Sequence, residues 1–167
     1  MWTKLNWVEG PWPGKLALAA RPRGGDWLDG EMARWRQAGV DTVLSLLTSE
    51  EEDDLDLVNE GPEAEAHGVA FVSFPIPDYQ VPSSESELAK VLERLAADLS
   101  SGKNVLVHCR GGIGRSPLVA ACLLVMKGWD PEKAVRLLRA AVGTSVPETP
   151  EQCRWIDHYA ATRTSAK

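Results

Sequence analysis

His108-Cys109-Arg110-Gly111-Gly112-Ile113-Gly114-Arg115-Ser116 puts a thiol, two guanidinium groups and three glycines into nine consecutive residues. That set suits the gripping of a tetrahedral anion beside a nucleophile. Gly111, Gly112 and Gly114 let the backbone turn so that successive N–H groups face one concavity, a nest for an anion. A helix beginning near Arg115 adds the positive end of its dipole and more free N–H groups. Arg115 can set its planar fork on two oxygens of one anion. Arg110, Gly111, Gly112, Ile113, Gly114 and Arg115 are therefore the expected phosphate-binding residues. The same field favours the thiolate of Cys109, because helix N-termini and nearby cations draw a thiol below its usual pKa of about 8.5. Cys109 is the expected nucleophile. Ser116 sits where its hydroxyl can bond the sulfur and ease its departure. His108 is expected to hold the loop through its ring nitrogens. A nucleotide-binding loop is excluded, since no G-K-[ST] is present.

The flanking segments must position this loop. Val105-Leu106-Val107 is a short, wholly apolar run, as expected of a strand buried in a parallel sheet. Leu118 to Met126 is an apolar helix that must be buried. Upstream, Leu16 to Ala20 and Val40 to Leu47 read as strands, and so does Val69 to Phe74. Asp29 to Ala38 has helical character, closed by Gly39. Short helices are expected in the acidic segment and over Pro62 to His67. Pro75, Pro77 and Pro82 make their segment a shaped loop, because proline cannot donate to a ladder. Ser84 and Glu87 form a capping box for a helix with Leu88, Val91, Leu92, Leu95 and Leu99 on one stripe. Asp130-Pro131 and Thr149-Pro150 open two further helices. The alternation predicts a single α/β domain over 1–167, with a central, mostly parallel sheet and helices on both faces. Residues 1–15 form an N-terminal segment that Trp2, Trp7 and Trp12 tack onto it. Ligands of such sheets bind at the carboxyl ends of the strands, where the glycine loop falls.

Composition narrows the function. The chain has 167 residues and a net charge of −6, which argues against a nucleic-acid footprint or an electrostatic membrane anchor. The run Glu50 to Asp54 reads as a solvated loop or helix start. Cys109, Cys122 and Cys153 are too few and too far apart for a disulfide framework or a structural zinc site, and no metal or other cofactor is implied. Cys122 falls at helical spacing with Leu118, Val119 and Val125 and reads as core. Neither a signal peptide nor a membrane-spanning run is evident, so a cytoplasmic monomer is expected.

The string His108 to Ser116, of the form H-C-x-x-G-x-x-R-S, resembles the signature of the protein tyrosine phosphatase superfamily. Chain size and element order are similar to its small dual-specificity-like branch, including compact bacterial and archaeal members and the cyclin-dependent-kinase-inhibitor-associated phosphatases. The resemblance runs from about Leu16 to Trp155. It implies hydrolysis of phosphotyrosine, and of phosphoserine or phosphothreonine if the pocket is shallow, through a cysteinyl-phosphate. The expected partner is a phosphorylated protein or peptide. It also implies a general acid on a loop upstream of the nucleophile, and Asp78, 31 residues before Cys109, fits. Asp98 and Asp130, on a helix and at a helix cap, are poorly placed. Gln152 resembles the glutamine that orients the hydrolytic water in several members. It is equally the N3 residue of a capping box on Thr149, and the preceding segment, Arg139 to Pro147, departs from the family pattern. Arg21 and Arg23 are either exposed turn residues or contacts at the mouth of the site, and Tyr79 is a further candidate contact. Cys153 is a candidate partner for an oxidised Cys109. No lysine occupies the variable loop positions, which favours phosphoprotein over inositol phosphates. Inositol-phosphate hydrolysis and non-catalytic phosphoprotein binding remain the alternatives.

Overall fold

The computed structural model describes residues 2–165. In chain order the elements are β1 (Asn6–Val8), β2 (Leu16–Ala19), α1 (Leu28–Gln37), β3 (Thr42–Ser45), α2 (Ser49–Asp54), α3 (Glu60–Ala66), β4 (Ala70–Ser73), α4 (Glu85–Ser100), β5 (Val105–His108), α5 (Arg115–Met126), α6 (Pro131–Val142) and α7 (Pro150–Ser165). The strands form one sheet in the order β1-β2-β5-β3-β4. β5 lies at its centre, parallel to β2 and β3, and β4 runs parallel to β3. The sheet is mixed, because β1 pairs antiparallel with β2. β1 has only three residues, too few for an alternating pattern, and the sequence had given this segment no strand.

β2, β3 and β4 are shorter than the apolar runs that predict them, whereas β5 extends one residue further, to His108. The ladder spans Thr42 to Ser45 against Val105 to His108. Val40 and Asp41 lie outside it because Gly39, at φ 98°, turns the chain as α1 ends. Helices cover both faces, as expected. On one face Leu28, Met32 and Trp35 of α1 and Ala64 of α3 pack on Ala17, Val43 and Leu106. On the other, α4, α5, α6 and α7 pack on Leu16, Leu18, Leu44, Val105 and Val107. Strand side chains alternate between the two faces, so Leu106 and His108 turn toward α1 and α3. α5 is buried on all sides from Arg115 to Val125, including Cys122. Burial pushes the Cys122 thiol far above its ordinary pKa, which makes it an inert core residue.

Ser84 caps α4 by accepting from Glu87 N (3.2 Å). The reciprocal half of the expected box is missing, and the Glu87 carboxylate pairs with Lys90 instead. Two tryptophans of the N-terminal segment meet the rest of the chain. Trp12 is buried in the core, and Trp2 lies against Gly30 and beneath the Arg34 guanidinium. Trp7 is partly exposed. Among the described residues no helix is long and apolar enough to cross a membrane.

Candidate active site

β5 ends at His108, α5 begins at Arg115, and the six residues between them form the glycine loop. Gly112 N donates to Cys109 Sγ (3.2 Å). Gly112 has φ 78°, and a Cβ there would lie 2.8 Å from Ala20 N. Only glycine gives both the left-handed backbone and the close approach to the end of β2. A second tie, Arg21 N to Arg110 O (3.2 Å), fixes the loop against the same strand end. The loop therefore stands at the carboxyl edge of the central strands.

His108 is fully buried. Its Nε2 lies 2.6 Å from Glu60 Oε2 and its Nδ1 3.3 Å from the Cys109 carbonyl. Both nitrogens thus face acceptors, and the ring links the nucleophile's backbone to α3. Trp35 packs beside it, ring centroids 5.9 Å apart.

Arg115 is 1% exposed. Nη1 and Nη2 donate to Glu51 Oε1 and Oε2 (2.7 and 2.8 Å), a bidentate pair. Nη1 also donates to the Ile76 carbonyl (2.7 Å), and Nη2 to Asp78 Oδ1 (3.0 Å). Nε is buried with no partner, so one edge of the fork is held by protein and the other keeps a donor for an anion. Burial works against the charge of Arg115, but Glu51, the Cys109 sulfur and Asp78 together hold its pKa above the ordinary value. Burial likewise disfavours ionisation of Glu51, yet Arg115 and Thr48 bring its pKa below the usual carboxylate range.

The acidic run starts a helix, as one of its two readings had it, but Glu51 departs from the solvated character expected of the run. It is buried, caps α2 with Thr48 in a reciprocal box and orients the arginine. The spacing Thr48-x-x-Glu51 was the available signal. Glu60 had none, since its partner is 48 residues away.

Asp78 is brought to Arg115 by the proline loop. It lines a cavity of about 420 Å³ with Tyr79, Arg110, Gly111, Ile113 and Glu148, which is the mouth of the site. Tyr79 is 62% exposed at this mouth. Asp98 and Asp130 lie elsewhere, bonded to Thr42 and capping α6. Ser116 Oγ is buried without a partner, so the expected bond to sulfur is not made in this state. Gln152 is fully buried. Its Oε1 accepts from Thr149 N (3.2 Å), Thr149 Oγ1 accepts from Gln152 N, and its Nε2 donates to Gln80 O (3.1 Å). The capping box is thus formed, and the same amide lies beside the loop, where a Cβ on Gly114 would meet its Oε1 at 3.0 Å and its Nε2 at 3.1 Å. Arg23 stacks between Trp27 and Trp2 (4.2 and 5.2 Å) and turns from the mouth. Cys153 is half-buried on α7 and reduced.

A larger cavity, about 620 Å³, is lined by Trp7, Trp12, Lys15 and Asn104. It lies at the opposite end of the sheet, where β2 and β5 begin, and holds none of the loop residues. Asp29 of α1, Glu63 of α3 and His67 just after α3 bring possible metal-ligand atoms within 4.8 Å of one another, and none of them belongs to the loop.

A mostly parallel sheet whose central strand ends in a cysteine loop, with an arginine fork and an aspartate above it, defines a cysteine-phosphatase type of domain. The chain belongs to the family described as the Swiss Army Knife protein DSP-PTPase phosphatase domain, whose model matches residues 3–165. Cyclin-dependent kinase inhibitor 3 of Rattus norvegicus is 35% identical over 95 residues, which are 56% of this chain and 44% of that protein. Putative tyrosine phosphatase 197R of Invertebrate iridescent virus 6 is 38% identical over 93 residues, 53% of this chain and 33% of the relative. The matches thus cover less than half the length of these curated relatives. Among solved structures, the kinase associated phosphatase with serine replacing its catalytic-site cysteine superposes at a TM-score of 0.88. It is 22% identical, over 98% of this chain and 97% of that one. Tk-PTP in its active form superposes at 0.76, 28% identical, over 96% and 99%.

Proposed function

We propose that the chain is a protein phosphatase that hydrolyses phosphotyrosine, and phosphoserine or phosphothreonine as well, through a cysteinyl-phosphate on Cys109. The observation that carries this reading is Arg115, a buried arginine clamped by Glu51 that keeps an unpartnered Nε in the field of the Cys109 sulfur. Cys109 attacks phosphorus in line. Arg115 and the N–H groups of residues 110 to 115 take up the charge on the equatorial oxygens. Asp78 protonates the leaving oxygen. Ser116 supports the sulfur as a leaving group when the intermediate is hydrolysed.

A phosphoprotein fits this mouth better than a polyanionic inositol phosphate. Arg110, Gly111, Gly112 and Ile113 include no lysine, and two carboxylates, Asp78 and Glu148, line the cavity. Each would repel a second phosphate. Vanadate-sensitive hydrolysis of p-nitrophenyl phosphate under reducing conditions tests the activity. A phosphotyrosine, phosphothreonine and inositol phosphate panel tests the substrate class. Wild type without vanadate-sensitive turnover would refute the reading.

Asp78→Asn is expected to lower the first step by about 10²-fold or more on phenyl phosphate. The loss is expected to be smaller on p-nitrophenyl phosphate, because nitrophenolate departs with little help from an acid. Equal losses on both esters would remove Asp78 from the proton transfer.

A further inference from the structure

Two side chains at the mouth have no part in the scheme above: Tyr79 from the proline loop and Glu148 from the segment joining α6 to α7. Both line the mouth cavity and both are exposed. Tyr79 stands there with φ 66°, a left-handed backbone that a bulky residue adopts only at a cost. The surrounding structure holds it so. Its N–H donates to Asp78 Oδ1 (3.0 Å), which also accepts from Arg115 Nη2. Gln80 N closes the turn onto the Pro77 carbonyl (3.0 Å), and the Gln80 carbonyl accepts from Gln152 Nε2. Backbone strain kept at the mouth of a site points to use of the side chain it presents, here an aromatic ring facing solvent.

Glu148 also projects from a fixed backbone. Val146 and Pro147 before it are buried, Arg139 Nε donates to the Val146 carbonyl (2.9 Å), and Thr149 after it is tied into the capping box of α7. Among the described residues no hydrogen bond or ion pair engages the Glu148 carboxylate. Burial and the Asp78 charge raise its pKa, and Arg115 opposes the rise. The charges around it leave it in want of a cation. Arg115 is committed to Glu51 through both terminal nitrogens. Arg110 belongs to the loop that receives the phosphoryl group, and that group brings more negative charge to the mouth. A cation on the substrate residue next to the phosphoresidue gains the Glu148 charge and the face of the Tyr79 ring. An acid in that place faces Glu148, Asp78 and the phosphate together.

We propose that Glu148 and Tyr79 form a subsite for a lysine or arginine side chain flanking the phosphoresidue, so that the substrate is a phosphoprotein segment with a basic residue beside the phosphorylated one. The inference rests on the phosphatase reading above and adds to it the sequence around the phosphoresidue. Arginine gains more than lysine from the ring, because its planar guanidinium stacks on an aromatic face. The subsite acts on binding and orientation of the peptide and takes no part in the bond-making steps.

The test is kcat/KM on a set of alanine-based phosphotyrosine peptides carrying Lys, Ala or Glu at each of the nearest positions on either side of the phosphotyrosine. At the position that reaches the subsite, wild type is expected to favour the Lys peptide over the Glu peptide by about tenfold, and the gap should narrow at high salt. Glu148→Lys is expected to invert the order. Tyr79→Ala should reduce the advantage of Lys over Ala, and Tyr79→Phe, which keeps the ring, should restore it. Each ratio compares peptides on one variant, so a loss of activity common to all peptides cancels. Lys and Glu peptides within twofold of each other at every position in wild type would overturn the proposal. So would a Glu preference, or a Lys preference that survives Glu148→Lys. Wild type with no turnover of any peptide would instead refute the phosphatase reading itself.

Discussion

Cys109→Ser is expected to lower hydrolysis of p-nitrophenyl phosphate by at least about 10⁴-fold, the scale seen when a covalent nucleophile is removed. The change replaces one atom at a site that is 2% exposed, so packing is nearly preserved and the melting temperature should barely move. What changes is the reacting atom. A serine hydroxyl must lose its proton to attack, and among the described residues no hydrogen bond places a base on this side chain. The bond it does receive comes from Gly112 N, a donor that cannot take up a proton. The anion site is untouched, so Cys109→Ser should still bind a phosphotyrosine peptide, measurable by calorimetry. A serine variant that retains turnover would move the nucleophile elsewhere.

Arg115→Lys is expected to cost about 10³-fold in kcat/KM although the charge is kept. Lysine carries its donors on one point, whereas Arg115 spans both oxygens of Glu51 with one edge and keeps Nε on another. The shorter reach of an ammonium cannot serve Glu51, the Ile76 carbonyl, Asp78 and a phosphoryl group together. Glu51→Gln should show a milder loss, because the fork remains but is less firmly oriented. The same pair sets an acid limit. The Glu51 carboxyl titrates below its usual range in the folded state. Its contribution to stability is present above the usual carboxylate pKa and is lost as pH falls through the lowered folded value. A thermal-melt series against pH should therefore flatten at its acid end in Glu51→Gln. Arg115→Lys with wild-type kcat/KM would contradict the fork's role.

The nucleophile loop was readable because its meaning is local. An apolar strand, a cysteine, three glycines and an arginine at a helix start are contiguous in Cys109 to Arg115 and its flanks. The α/β class was readable for the same reason, from apolar runs alternating with amphipathic ones. Residues acting across the fold were not. Glu51 sits in a run of five acids and differs from its neighbours only in facing Arg115, 64 residues away. Glu60 and Glu148 likewise take their places from tertiary contacts with His108 and with the loop at Gly114. Gln152 shows the converse. Its local pattern with Thr149 announces the capping box that the folded chain forms. Strand β1 was missed because an edge strand of three residues is defined by its partner β2 rather than by its own sequence.

Trapping the covalent intermediate tests the central claim most directly. Protein mixed with excess p-nitrophenyl phosphate, quenched in acid within the first turnover, digested and mapped by mass spectrometry should carry one phosphoryl group on the peptide containing Cys109. That label should be absent from Cys109→Ser. Turnover in wild type with no phosphoryl group on Cys109, or with the label on another residue, would contradict the account.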